Sequence, residues 1–183
     1  MSDRKVLREE YARIRAEIHC EQFDEKIKER VLASFCAYES FFVYCAFRSE
    51  VATLPLIDAL LAAGKKVCVP RIENKVMLSV PYAPLREGAY GIPAPEGGAD
   101  TPCDVTLTPL LAFDEEGYRL GYGGGYYDAY FSRHKRTLRV GLAYSAQKTD
   151  KLSHEMWDIP LHCVVTEKDI FLPTLDTKRS QRV

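Results

Sequence analysis

Between residues 41 and 69 the sequence runs apolar, amphipathic, apolar, and this triplet narrows the possible folds more than any other stretch. Phe41-Phe-Val-Tyr-Cys-Ala-Phe47 reads as a buried strand. Thr53 and Pro55 mark a helix start, Leu56, Ile57, Leu60 and Leu61 form its apolar face, Gly64 caps its end, and Lys66 to Val69 resumes as a strand. Strand, helix, strand implies parallel pairing, because the crossover lays its helix over one face of the sheet. The expected class is α/β, a layered domain with parallel strand pairing.

The flanking sequence fits this scheme. Residues 3 to 19 space Leu7, Tyr11, Ile14 and Ile18 as one helical stripe, with Arg4, Lys5, Arg8, Arg13 and Arg15 around the remainder. A second helix is expected to open at Asp24 as N-cap and to bury Ile27, Val31 and Phe35. Met77–Val80, Val105–Pro109, Leu138–Leu142 and Val164-Val165 read as further strands. Tyr82 to Pro102, rich in Pro and Gly, reads as a long surface loop, and Asp114-Glu-Glu-Gly117 as a turn. With 183 residues, 46% of them hydrophobic, the chain suffices for one core and is short for two. Residues 1–175 are therefore read as one domain and 176–183 as a polar, disordered tail.

Charged residues make up 28% of the chain but cancel to a net of −1, so no global positive field exists to hold nucleic acid or an anionic membrane. A polyanionic ligand must be gripped locally. The charged N-terminus lacks the apolar stretch of a secretory signal, and the run from Phe41 to Phe47 is too short to span a bilayer, so the expected location is the cytoplasm. The six cysteines form no C-x-x-C pair, which argues against disulfides and a structural zinc.

The segment richest in chemistry is Arg119-Leu-Gly-Tyr-Gly-Gly-Gly-Tyr-Tyr-Asp128. Its glycines bring backbone N–H groups close to a ligand, and the helix start that follows adds unpaired donors and partial positive charge, a combination suited to phosphate. It matches neither common nucleotide fingerprint. G-x-G-x-x-G would need glycine where Tyr126 stands, and the nearest approach to G-x-x-x-x-G-K-[ST], at Gly64-Lys65, has Ala59 and Lys66 in the other positions. Pattern alone leaves phosphate binding and a plain strand-to-helix turn both open.

A longer run, Pro109-x-x-x-Phe113-Asp114-x-x-Gly117-x-Arg119 through Asp128, resembles the signature of the 5-formyltetrahydrofolate cyclo-ligase family, also called methenyltetrahydrofolate synthetases. Arg4-Lys-Val-Leu-Arg8, Arg48-x-Glu50-x-x-Thr53, Pro70-Arg71, Tyr90-Gly-Ile92, Val140-Gly-Leu-Ala143 with Gln147, and Asp158 before Val164-Val-Thr-Glu167 follow in the family's order. The resemblance implies a single three-layer α/β/α domain with a mostly parallel central sheet, and an enzyme that converts 5-formyltetrahydrofolate to 5,10-methenyltetrahydrofolate, using ATP and Mg2+ and releasing ADP and phosphate through phosphorylation of the formyl oxygen.

By the same resemblance, Arg119 and Tyr126 are catalytic, and ATP meets Arg4, Lys5, Arg8, Arg119, Leu120, Gly121, Tyr122, Gly123, Gly124, Gly125, Tyr126 and Tyr127. The folate meets Arg8, Glu50 and residues 122–126, and magnesium is held by Asp128 and Asp158. The expected partner is the small-molecule folate, with or without extra glutamates, and the protein itself a monomer or weak homodimer. Read from the residues alone, Glu50 is a solvent-facing loop residue and Arg4 and Arg8 an ordinary solvated helix face. Phosphoryl transfer works through positioning and cations, so no nucleophilic triad is required, and His19, His134, His154 and His162 are read as structural or surface groups. The cations from Arg133 to Arg139 are read as companions of a helix C-terminus. A non-catalytic nucleotide module, or an enzyme acting on phosphosugars or acyl groups, are the competing classes.

Overall fold

The stripe at the start of the chain forms helix α1 (Asp3–Ile18) in the computed structural model, which describes residues 3–174; the tail expected from residue 176 lies outside the described residues. Next come α2 (Glu21–Phe35), strand β1 (Ser40–Val43), α3 (Leu54–Ala62), β2 (Lys66–Glu73) and β3 (Val76–Pro81). A two-stranded ribbon, β4 (Leu85–Arg86) with β5 (Ala94–Pro95), precedes β6 (Val105–Pro109). A second ribbon, β7 (Ala112–Phe113) with β8 (Arg119–Leu120), leads into α4 (Tyr126–Arg133), β9 (Leu138–Leu142), β10 (Cys163–Val165) and β11 (Ile170–Phe171).

Seven strands make the central sheet in the order β11-β10-β9-β6-β1-β2-β3. The five inner strands run parallel, and the edge strands β3 and β11 antiparallel. Alternation along the strands decides what each face buries. Phe41, Val43, Val67, Val69, Val105, Leu107, Val140 and Val165 point to one side, where they pack with Ile27 and Val31 of α2 and Leu56, Ile57 and Leu60 of α3. Phe42, Cys68 and Val164 point to the other, against Tyr130 and Phe131 of α4. Helix α1 lies apart, its Leu7 and Tyr11 packed on Ala112, Leu120 and Leu152. The three layers are thus as expected. No helix among the described residues is long and apolar enough to cross a membrane.

Several local expectations change. Helix α2 opens at Glu21 with Cys20 as N-cap, and Asp24 sits inside it, buried and accepting a 2.5 Å bond from the Tyr144 hydroxyl. Tertiary pairing has captured a side chain whose type suits a cap. Leu61 on α3 is 39% exposed, so the apolar face of that helix is narrower than its sequence suggests. Thr53 precedes α3 but does not cap it; its hydroxyl donates to Tyr44 O at 2.6 Å and accepts from Ala46 N at 3.1 Å, pinning the loop after β1. That loop begins at Tyr44, so the strand is shorter than the aromatic run. Gly64, in the left-handed region at φ +75°, ends α3 as expected, with Gly64 N bonded to Leu61 O and Lys65 N to Leu60 O.

The connections place the site. The β1–α3–β2 crossover covers one face and β6–α4–β9 the other, so the chain leaves β1 and β6 in opposite senses. In an open α/β sheet such a switch point forms a crevice at the carboxyl ends of the strands.

Candidate active site

A cavity of about 800 Å³ opens at this switch point, near the upper end of the roughly 300–1,000 Å³ usual for small-molecule clefts. Tyr44, Cys45, Phe47 and Glu50 reach it from the end of β1, Pro70 and Ile72 from β2, and Pro109 from β6. Arg4 and Arg8 of α1, Arg119, the glycine loop 121–125, the first turn of α4, and Trp157 with Asp158 complete one side. Met77 of β3 and Ala89, Tyr90, Ile92 and Ala94 add mostly apolar lining, so the segment expected to be a long surface loop is organised by the β4–β5 ribbon and forms part of the cavity.

The glycine loop is open to this space. Gly123 (φ +98°) and Gly125 (φ +67°) hold backbone conformations that side chains resist, and a Cβ on Gly125 would meet nothing within 4 Å. Gly125 is the N-cap of α4, so the helix's unpaired N–H groups emerge directly behind the loop. Arg8 crosses from α1 to donate from Nε to Gly121 O at 2.9 Å, and a Cβ on Gly123 would lie 3.2 Å from its guanidinium. Arg4 and Arg8, which the residues alone would leave on a solvated face, line the cavity.

Cations and carboxylates alternate at the polar end. Arg119, with its side chain 6% exposed, holds Asp128 Oδ1 at 2.9 Å, donates to Ile159 O at 2.7 Å and stacks over the Phe131 ring. Asp128 Oδ1 also accepts from Ile159 N at 2.9 Å. Arg4 holds Asp158 Oδ2 at 3.0 Å, and Glu155 N donates to the same oxygen. In each carboxylate these contacts fall on one oxygen. No cluster of three or more metal-ligating side chains occurs among the described residues. Two carboxylates beside a phosphate-sized cradle nevertheless suit magnesium, which is usually held by one or two carboxylates together with phosphate oxygens and water. Arg4 Nε is buried without a hydrogen-bond partner, while its Nη1 is taken by Asp158.

Glu50 differs most from its sequence reading. It is 5% exposed, not solvent-facing. Its Oε2 accepts from Phe47 N at 2.8 Å, closing a turn in which Arg48 is left-handed at φ +57°. Burial raises its pKa, opposed by the Phe47 bond and by Arg15. Burial likewise raises Tyr44 and Tyr127 well above the ordinary tyrosine value, with Glu50 adding to both, and pushes the Cys45 thiol up to about 11, so none of these is a nucleophile near neutral pH.

Of the sequence-derived site residues, Arg4, Arg8, Glu50, Arg119, Gly121–Gly125, Tyr126, Tyr127, Asp128 and Asp158 share this one cavity. Two do not. Lys5 is exposed and forms no part of the wall, one helical step away from Arg4 and Arg8, and Leu120 is buried beneath the loop against Ala112 and Leu152. Tyr127 serves two roles: it packs near Phe42 and Phe131 and also faces the cavity. His134 pairs with Asp100, His19 with Tyr144, and His154 stacks on Tyr118, all outside the cavity wall. Arg133 donates to Ala129 O and Met77 O, in keeping with a helix end.

Sequence reasoning missed two contributors, Tyr90 and Arg15, whereas Trp157 adjoins the expected ligand Asp158 in sequence. Tyr90, 70% exposed at φ +60°, reaches over the cavity to bond Tyr126 through their hydroxyls at 2.8 Å. Trp157 forms part of the rim. Arg15, assigned to the solvated face of α1, is 2% exposed. The spacing held a signal for it, because Arg4, Arg8, Tyr11 and Arg15 fall at i, i+4, i+7 and i+11 on one face.

The sequence profile of the 5-formyltetrahydrofolate cyclo-ligase family matches residues 1–167. The chain belongs to this family and is an enzyme of it. A 5-formyltetrahydrofolate cyclo-ligase of Escherichia coli K12 is 38% identical over 142 residues, covering 70% of this chain and 78% of its own. One from Haemophilus influenzae is 33% identical over 132 residues, covering 65% and 71%. The solution structure of Aquifex aeolicus 5,10-methenyltetrahydrofolate synthetase superimposes with a TM-score of 0.82 at 30% identity, covering 98% of this chain and 99% of that one.

Proposed function

We propose that this enzyme closes 5-formyltetrahydrofolate to 5,10-methenyltetrahydrofolate at the expense of ATP, with magnesium on the phosphates. The observation that carries this reading is a single cavity with a polar end of glycine loop, arginines and two carboxylates, and an apolar end of Ile72, Met77 and Ile92. The first suits a triphosphate, the second a pterin and its aromatic linker.

The formyl oxygen of the substrate is amide-like and a poor leaving group. It attacks the γ-phosphorus of ATP and ADP departs; the second folate nitrogen then attacks the formyl carbon, loses its proton, and phosphate leaves with the formyl oxygen. The chain's part is to position and neutralise. The N–H groups of the glycine loop and α4 donate to phosphate oxygens, Arg8 braces the loop, and Arg119 keeps Asp128 oriented. Asp128 and Asp158 would hold the magnesium, which supplies positive charge to the phosphates. Glu50, buried beside Tyr122 of the loop, receives the N–H edge of the pterin. Tyr126 and Tyr90 close the mouth over the reacting carbon and keep water from the activated intermediate.

Formyl-labelled substrate tests the route. With 18O in the formyl group, the label should appear in the released phosphate, one ADP per methenyl product; label released as water instead would exclude phosphorylation of that oxygen. The non-catalytic alternative predicts no ADP release at all.

A further inference from the structure

Arg15 stands apart from the other arginines of α1. Arg4 and Arg8 line the cavity and Arg13 is exposed, whereas Arg15 is buried behind the wall. A buried guanidinium persists only when its donors are satisfied. Here three separate segments satisfy it: Nε donates to Ser49 Oγ at 3.2 Å, Nη1 to Leu110 O at 3.1 Å, and Nη2 to the Tyr122 hydroxyl at 2.6 Å, while Glu50 Oε1 lies 4.0 Å from Nη1. Leu110 is a fixed footing, fully buried with its carbonyl also bonded by Gln147. Ser49 and Glu50 belong to the loop after β1, and Tyr122 to the glycine loop.

We propose that Arg15 is a positioning residue that fastens Tyr122 of the glycine loop beside Glu50 of the loop after β1, so that the phosphate-binding and folate-binding parts of the cavity are set as one unit. This rests on the cyclo-ligase reading above. The planar fork of arginine suits the task, since it presents several donors in fixed directions, whereas lysine offers one flexible nitrogen. A Tyr122 hydroxyl that accepts from Arg15 keeps its own proton, free to turn toward the neighbouring Glu50 carboxylate, and burial together with that carboxylate raises the Tyr122 pKa. Filling of the glycine loop by phosphate is thereby transmitted to the carboxylate through one side chain.

The groups facing Glu50 are Arg15 from α1, Tyr44 from the end of β1, Tyr122 from the glycine loop and Tyr127 from α4. Arg15 is the cation among these four. Burial raises the Glu50 pKa while Arg15 and Tyr122 lower it. Weakening either partner leaves burial less opposed, so Glu50 protonates at higher pH and the acid limb of the folate kcat/KM profile moves upward.

The test uses the full-length chain with Arg15→Lys, Tyr122→Phe and the double substitution, assayed with ATP, magnesium and 5-formyltetrahydrofolate. Each single variant is expected to lower kcat/KM for the folate roughly 10-fold or more, the effect of losing a bond to a charged group, with a smaller rise in KM for ATP. The double variant should be no worse than the poorer single, and the acid limb should shift upward in both singles. Additive losses with an unshifted limb overturn the coupling. So does a lowered Tm with kcat/KM per folded molecule unchanged, which is what a purely structural arginine predicts. Should Arg15→Lys fail to fold, Tyr122→Phe decides alone by its fold-change and limb shift, since Tyr122 is half exposed. A wild-type protein that makes no methenyl product overturns the cyclo-ligase reading and this proposal with it; an active wild type isolates the coupling.

Discussion

Replacing two glycines by alanine separates the glycine that serves ligands from the glycine that serves the fold. Gly125 and Gly117 both hold positive φ, +67° and +83°, so each alanine carries a left-handed strain of about 1–2 kcal/mol. Their surroundings differ. A Cβ at 125 meets nothing within 4 Å, whereas one at 117 would lie 2.7 Å from Pro173 Cγ and 2.8 Å from Leu161 O. Overpacking of that kind adds about 1–3 kcal/mol, giving roughly 2–5 kcal/mol for Gly117→Ala against 1–2 for Gly125→Ala. For a domain of this size each kcal/mol lowers Tm by roughly 2–4 °C, so Gly125→Ala should melt a few degrees low and Gly117→Ala considerably lower. Activity should reverse the order. The new methyl at 125 stands between the loop's N–H groups and the phosphates. Losing one charge-assisted bond of ~1.5–3 kcal/mol raises KM for ATP roughly 10- to 100-fold, while folded Gly117→Ala keeps its ATP affinity. Thermal melting with steady-state kinetics on both variants is the assay. A Gly125→Ala enzyme with unchanged KM for ATP would refute the loop as a phosphate cradle.

Three further outcomes follow from the same geometry. Asp128→Asn should abolish turnover with little change in Tm, because the amide oxygen can still accept from Arg119 and Ile159 N; activity retained at ordinary magnesium would remove Asp128 from the metal site. Trp157 is 65% exposed at the rim next to Asp158, so its fluorescence should respond to magnesium-ATP, and a silent titration would count against the place given to Asp158. Burial raises the Asp24 carboxyl above its ordinary value and the Tyr144 hydroxyl opposes this, so Tyr144→Phe should raise it further, visible as a later midpoint in an NMR titration of that carboxyl. Between the unfolded value and the raised folded one the native state holds the extra proton. The Asp24 contribution to stability therefore falls as pH rises through that window, over a wider range in Tyr144→Phe; an unmoved midpoint would mean the 2.5 Å bond does not form in solution.

What the sequence disclosed divides along physical lines. Strand alternation and helical stripes report burial directly, so the layers and most elements could be read from Phe41, Leu56, Val105 and their repeats. The glycine loop was legible because positive φ demands glycine. Helix boundaries shifted where a distant partner took the residue: Asp24 suits an N-cap by type, but Tyr144, 120 positions away, claims it inside the helix. Arg15, and Glu50 when read without the family resemblance, fall on the surface for the same reason. A charged side chain is surface by default, and only contacts from three or four remote segments make its burial tolerable. The wall at Tyr90 escaped notice because a two-residue ribbon leaves almost no periodic trace.

The central claim, a folate ring closure driven by ATP, is tested most directly by the near-ultraviolet absorbance of the methenyl product. Mixing the protein with 5-formyltetrahydrofolate, ATP and magnesium should produce a steady rise that vanishes when any one of the three is omitted. No rise in the complete mixture, or an equal rise without ATP, would contradict the account.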